Sequence, residues 1–280
     1  MMRAVYDLAK SPPTHDFVNW LARAEAARIA AGEDALEVAI VPGVRRISPR
    51  DFAYTQERRA WRIQHLLAPL AWLMPSVASV VVVEEGEQQL SYGNPGRPLA
   101  PIFRAPAHAL EQVRAWLPAN AVTITLRESD FEPVRNTSRN DWLRVAVWLK
   151  ANGYEPVIIP DAEAEMRGED FPAGHGRVYH AAAHCVGLRL ALYELASMNL
   201  MTNSGVMVMA LHADVPLMCF RLEVPEVPCC HREHLVRSGF SPAHDWSTNR
   251  RAKRLFWERD TFDNVTRALR LYMPANAEAA

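Results

Sequence analysis

Leu200-Met201-Thr202-Asn203-Ser204-Gly205-Val206-Met207 is an apolar run, closed by a small polar turn, that opens directly into a second apolar run. Leu200 to Thr202 reads as a short strand and Val206 to His212 as a helix, with Asn203-Ser204-Gly205 turning between them. Gly205 has no Cβ, so a phosphate can approach the backbone there, and Ser204 can donate its hydroxyl. The triplet alone fits a plain turn equally well. Its meaning depends on what surrounds it.

Downstream, Pro216 to Phe220 reads as another strand. Upstream, His180 to Ser197 reads as one helix, with Tyr193-Glu194 near its end. Before that, Pro156 to Ile159 is a strand, Asp141 to Asn152 a helix, Val122 to Leu126 a strand and His108 to Leu117 a short helix. The first half has the same rhythm: Ala4 to Leu8 and Leu36 to Val41 as strands, and a helix from about Phe17 to Gly32 that Thr14 or Asp16 can cap. An arginine-rich segment from Arg45 turns helical towards Trp72. The β-branched run Val77 to Val83 is a buried parallel strand. A final helix spans Thr261 to Tyr272.

Strands alternating with helices imply parallel sheets. Gly93-Asn94-Pro95-Gly96-Arg97-Pro98, with Pro101 and Pro106 beyond, interrupts the rhythm and marks a linker. The sequence therefore predicts an α/β protein of two Rossmann-like parallel-sheet lobes facing a cleft, residues 1–100 and 101–280, the first lobe reduced to three convincing strands. The last helix is expected to pack back on the first lobe. Open parallel sheets bind ligands beyond the C-terminal ends of their strands, so the strand-end loops carry the functional reading.

The richest such loop is Leu126-Arg127-Glu128-Ser129-Asp130-Phe131-Glu132-Pro133-Val134-Arg135-Asn136-Thr137-Ser138-Arg139. Guanidinium forks and helix-start N–H groups suit a diphosphate leaving group, which gathers negative charge as the sugar–phosphate bond breaks. The alternative is a solvated loop of ordinary surface arginines.

Composition narrows the classes. Apolar residues make up 49% of the 280 and charged residues 22%, with a formal net charge of -1. Such a chain can bury a core, and its charge balance gives no reason to expect nucleic acid as a partner. No run of about eighteen apolar residues is present, so no transmembrane segment is expected, which leaves peripheral membrane contact open. Asp7 breaks the apolar start that a signal peptide would need. The four cysteines, Cys185, Cys219, Cys229 and Cys230, lack disulfide-framework spacing, so a cytoplasmic location fits. Cys229-Cys230-His231 and the pair His180 and His184 have the wrong spacing for zinc, and no metal or other cofactor is expected. Gly-x-Ser-x-Gly, Walker A and Gly-x-Gly-x-x-Gly motifs do not occur, which removes the main support for hydrolase, kinase and dehydrogenase readings.

The order strand–arginine–loop–helix, helix with Tyr193-Glu194, strand–Asn203-Ser204-Gly205–helix, then Pro216 and a strand resembles the C-terminal lobe of GT-B-type glycosyltransferases. Thr125-Leu126-Arg127-Glu128 resembles the first arginine motif of the fucosyltransferase-like group. Leu200 to Gly205 resembles the strand–turn–helix with which fucosyltransferases and lipopolysaccharide heptosyltransferases hold the donor diphosphate. Tyr6-Asp7-Leu8, Pro12-Pro13-Thr14-His15-Asp16-Phe17 and Val41-Pro42-Gly43 are similar to glycosyltransferases of bacterial surface-polysaccharide clusters. The likeness runs over roughly residues 4 to 222 and the last helix. It departs at Val206-Met207, where heptosyltransferase-like turns often have Pro-Met.

The resemblance implies metal-independent transfer from a nucleoside diphosphate sugar to a glycan or lipid-linked acceptor. It places Arg127, Glu128, Arg135, Ser138, Arg139, Asn203, Ser204, Gly205 and Val206 at the donor. Asp16 or His15 is the candidate base, Asp16 being equally suited to a plain helix-capping role. The alternatives are a non-catalytic sugar-nucleotide-binding or scaffold protein of a polysaccharide pathway, or another transferase of this architecture such as a pyruvyl transferase.

Overall fold

The β-branched and aliphatic runs form the strands expected of them, with one difference in burial. Val77–Val82, expected to be buried, is an edge strand with Val82 exposed, because no further strand pairs with its outer side among the described residues. The computed structural model describes residues 1–44, 46, 52, 54–84, 101–240 and 252–273. The chain divides into two compact units, Met1–Arg104 and Ala105–Ala280. The predicted linker at 93–98 lies outside the described residues, as does Arg45.

In the first unit, strands β1 (Met2–Asp7), β2 (Leu36–Val41) and β3 (Val77–Val82) form a parallel sheet in the order β1-β2-β3. The helix Asp16–Ala30 buries Phe17, Val18, Trp20 and Leu21. Tyr6 meets Phe17 and Trp20 edge-on, with ring centroids 4.6 and 5.1 Å away, which locks this helix to the first strand. His15 stands at the N-cap and its own side chain makes no capping bond, but the Thr14 hydroxyl accepts from the Asp16 N–H, the first of the helix, at 3.3 Å. Of the two expected caps, Thr14 serves the helix start and Asp16 lies inside the helix. The same hydroxyl donates to the Asp16 carboxylate at 2.8 Å. The arginine-rich segment forms the helix Gln56–Arg62, a π-helical turn Ile63–Leu67 and the short helix Ala68–Ala71.

In the second unit six parallel strands lie in the order β6-β5-β4-β7-β8-β9. They are β4 (Ala121–Thr125), β5 (Glu155–Ile159), β6 (Arg177–Val178), β7 (Met198–Thr202), β8 (Leu217–Phe220) and β9 (Lys253–Leu255). The period-2 alternation of β4 decides what covers each face. Val122 and Ile124 face a core with Trp142 and Val145 of the helix Arg139–Ala151 and Val265 and Leu269 of the helix Phe262–Tyr272. The apolar stripe of the last helix is thus buried in the core of the second unit. Thr123 and Thr125 carry a polar ladder: Thr123 donates to Asn199 of β7 at 2.6 Å, and Thr125 bonds the Tyr193 hydroxyl at 2.8 Å. These buried polar groups are tolerated because each is partnered.

The single helix expected over His180 to Ser197 is two helices, Ala181–His184 and Val186–Leu195, separated by Cys185 in an extended conformation. Buried Arg189 reaches back to the carbonyls of Ala182 and Ala183, at 2.7 and 3.3 Å, and satisfies the helix end left open by the break. Apolar periodicity runs through the break, so the pattern does not reveal it.

Candidate functional site

The strand order of the second unit fixes where a site belongs. From β4 the chain proceeds outward to β5 and β6, then returns to β7 on the other side of β4 and proceeds to β8 and β9. The neighbours β4 and β7 therefore mark a topological switch point, beyond whose C-terminal ends open α/β sheets form a crevice. The loops that follow these two strands are the arginine loop and the Asn203-Ser204-Gly205 turn. The fold brings together the two segments that the sequence singled out.

The arginines there do different work. Arg127 is buried and turned into its own loop. Its guanidinium donates to the carbonyls of Phe131 and Glu132 and to the Asn136 side chain. It organises the loop and presents no open fork to a ligand. Asn136 closes the same loop by donating to the Ser129 carbonyl at 3.0 Å. Arg139 is held by Glu128, at 2.5 and 2.9 Å, and by Glu169 at 2.7 Å. The Glu128 hydrogen bond leads in raising its pKa. Glu128 thus neutralises an arginine. Ser138, at the N-cap of Arg139–Ala151, donates to Asp141 at 2.9 Å.

Arg135 makes the long-range link. Its Nη1 donates to Glu132 at 2.9 Å and its Nη2 to the Asn203 carbonyl at 3.2 Å. Its Nε is buried with no hydrogen-bond partner among the described residues. Burial works against its charge, but the neighbouring Cys230, Glu132 and Cys229 outweigh it and raise the pKa. Asn203 is buried, and its side-chain amide donates to the Leu222 carbonyl at 2.7 Å. That amide is structural, so the polar groups left for a ligand come after it. Ser204 is the N-cap of the helix Gly205–Leu211 and its side chain caps nothing. Gly205 is exposed. The N–H groups of Gly205 and Val206 have no acceptor among the described residues, as expected of a helix start.

Sequence reasoning missed Arg221. It follows β8, and its Nη1 donates to the carbonyls of Asn136 and Val134 at 2.6 and 3.2 Å. Its Nε lies 2.7 Å from the fully buried Asp260 carboxylate, which also accepts from the Trp142 indole at 2.7 Å. Arg221 has φ 51° and Glu132 φ 50°, the positive-φ non-glycine residues among those described. Both belong to this loop cluster. Backbone strain concentrates where function constrains geometry. One signal was available: Arg221 follows an apolar strand just as Arg127 does.

In the first unit His15 and Asp16 follow β1, and Asp16 is exposed. Arg62 donates to the Pro13 carbonyl at 3.2 Å and steadies this strand-end loop. Among the described residues no group of three or more His, Cys, Asp or Glu side chains is placed to hold a metal ion. No helix among them is long and apolar enough to cross a membrane.

Two parallel-sheet units with strand-end loops gathered at a switch point define an α/β architecture of GT-B type. Solved structures agree. The chain is similar to a glycosyl transferase family 9 protein from Veillonella parvula, with TM-score 0.52, 11% identity and 96% of each chain covered. It is also similar to the ADP-heptose LPS heptosyltransferase II of E. coli, with TM-score 0.54, 10% identity, 83% of this chain and 89% of that chain. At such identities the likeness is one of fold. No family model matches the sequence, and no curated protein does.

Proposed function

We propose that this protein is a glycosyltransferase that moves a sugar from a nucleoside diphosphate donor to a glycan or lipid-linked acceptor, in the cytoplasm and without a bound metal. The supporting observation is the Arg135–Asn203 bridge, which stitches the two strand-end loops together at the switch point of the second unit. The diphosphate would be received by the Gly205 and Val206 N–H groups and the Ser204 hydroxyl, with Arg135 behind them supplying fixed positive charge. Arg127, Arg139 and Arg221 hold the loop in shape. The second unit would then be the donor side and the first the acceptor side.

In the proposed displacement, the acceptor oxygen attacks the anomeric carbon as the bond to the diphosphate breaks. The electron pair leaves with the diphosphate, and Asp16 or His15 takes the hydroxyl proton. Because a structural neighbour is named for ADP-heptose, ADP and ADP-heptose are the first ligands to test. Calorimetry should show ADP binding, and ADP should be released from ADP-heptose with acceptor present and EDTA added. Absence of ADP binding at millimolar concentration, with other nucleoside diphosphates equally silent, would overturn the reading. The small first sheet, three strands among the described residues, favours one rival: a sugar-nucleotide-binding protein that does not turn over. Binding without release of the sugar would identify it.

A further inference from the structure

Two adjacent thiols lie against the bridge between the loops. Cys229 and Cys230 sit on the short turn Pro228–Cys230 that follows β8. Cys229 is exposed and Cys230 buried, with their sulfurs 3.9 Å apart. The Cys230 sulfur accepts from the Asn203 side-chain amide at 3.4 Å, and the Asn203 carbonyl accepts from Arg135. The Arg135 charge acts on both sulfurs. The pair is thus tied to the same two residues that join the arginine loop to the turn.

We propose that Cys229 is a thiol-exchange site: it takes up small disulfides of the glutathione class as a mixed disulfide, and the attached group blocks the adjoining Asn203-Ser204-Gly205 turn. The uptake rests on the exposure of Cys229, the neighbouring Cys230 sulfur and the Arg135 charge beside them. The block rests on the assignment of that turn to the donor.

The two thiols are not interchangeable. The groups that face Cys229 are Cys230, Arg135 and Glu132. The hydrogen bond shared with Cys230 leads in lowering the Cys229 pKa; burial opposes this, Arg135 reinforces it and Glu132 opposes it. Cys230 is pushed up in turn, first by that same hydrogen bond. Cys229, exposed and beside the Arg135 charge, is thus the thiol that deprotonates first, with Cys230 buried against it. Lowering the pKa of a thiol towards ambient pH raises its charged fraction while it keeps much of its nucleophilicity.

In the step itself, the Cys229 proton has already gone to solvent. The thiolate attacks one sulfur of the small disulfide, and a new S–S bond forms as the old one breaks. The electron pair leaves on the departing sulfur, which takes a proton from water. The small disulfide is the oxidant, and one of its halves departs as a reduced thiol.

The test uses the full chain and oxidised glutathione, quenched with acid and mapped by peptide mass. The mixed disulfide should form at Cys229 at least about fivefold ahead of Cys185, the other exposed thiol. It should be lost from that position in Cys229→Ser, and its rate should level off below the pH at which an ordinary thiol does, about 8.5. Reaction at Cys185 first, or at equal rates, would overturn the proposal. In the modified protein ADP affinity should fall at least about tenfold and return on adding a reductant. Unchanged ADP affinity would overturn the block. If the unmodified protein binds no ADP, the nucleotide reading fails and the block with it, whereas uptake at Cys229 is still decided by mass alone.

Discussion

Arg135 donates to the main-chain carbonyl of Asn203 across 3.2 Å, joining residues 68 positions apart in the chain. One end of this bond is in the loop after β4 and the other begins the turn after β7. A ligand at the switch point would meet both loops as one surface. The bond also fixes the direction of the peptide unit that leads into Ser204.

Replacing Arg135 should therefore disturb recognition more than folding. Arg135→Met keeps the bulk of the side chain but leaves Glu132 and the Asn203 carbonyl without their donor. We expect ADP affinity to fall at least about tenfold, in line with about 1.5–3 kcal/mol for hydrogen bonds to charged groups. Calorimetry on the variant measures this, with the melting temperature taken in parallel. Unchanged affinity would remove Arg135 from the site.

Arg127 should behave in the opposite way. It holds Phe131, Glu132 and Asn136 from inside the loop. Arg127→Ala should cost about 1–3 kcal/mol of stability in urea unfolding, because several carbonyls lose a buried donor. Arg127→Lys should recover little of it, since a lysine cannot reproduce the planar fork.

Gly205 separates a phosphate-receiving turn from a merely tight one. Its φ is not among the positive values of the described glycines, so alanine fits the backbone there. At a helix start alanine is no worse than glycine for stability. Gly205→Ala should leave the melting temperature unchanged or slightly raised while weakening ADP binding at least about tenfold, because a Cβ would stand between N–H groups and phosphate. Loss of stability with intact affinity would mean that Gly205 serves only the turn.

For the base, Asp16→Asn should lower the transfer rate about a hundredfold or more with ADP affinity intact, the scale of a lost general base. His15→Gln is the matching test. If neither changes the rate, the proton goes elsewhere. Asp16 is exposed, so the melting temperature should hardly move.

His212 gives a prediction on pH. It is buried at the end of the helix Gly205–Leu211, and desolvation, followed by the charge of Lys253, lowers its pKa from 6.5 to about 4. The unfolded chain then binds a proton more readily than the folded one. His212 contributes its full stability above about pH 6.5, and the contribution is lost as pH falls through about 4. The lost amount is about 3 kcal/mol from the shift. Urea unfolding at pH 7, 5.5 and 4.5 should show a shallower acid loss for His212→Gln than for the parent. Parallel curves would show that another group governs the acid limb.

The sequence by itself determined the strand–helix alternation and the ends of most strands. β-branched and aliphatic periodicity is a local property, so Leu36–Val41 and Val77–Val82 appear almost where the pattern puts them. It also named the loops that follow β4 and β7. Two strands escaped it: Arg177–Val178 is two residues long, and Lys253–Leu255 carries charges that look like surface. In the structure Lys253 is buried and donates to the carbonyls that end the Gly205–Leu211 helix. Tertiary structure alone decided what each arginine does. Arg127, Arg135 and Arg139 are alike as letters, yet one staples its loop, one bridges to Asn203 and one is neutralised by Glu128 and Glu169. The backbone turn at Arg221 and the contact of Cys230 with Asn203 likewise exist only once distant strands are paired. A guanidinium or a thiol takes its role from whichever acceptors and charges packing brings within hydrogen-bond reach, and no periodicity along the chain records them.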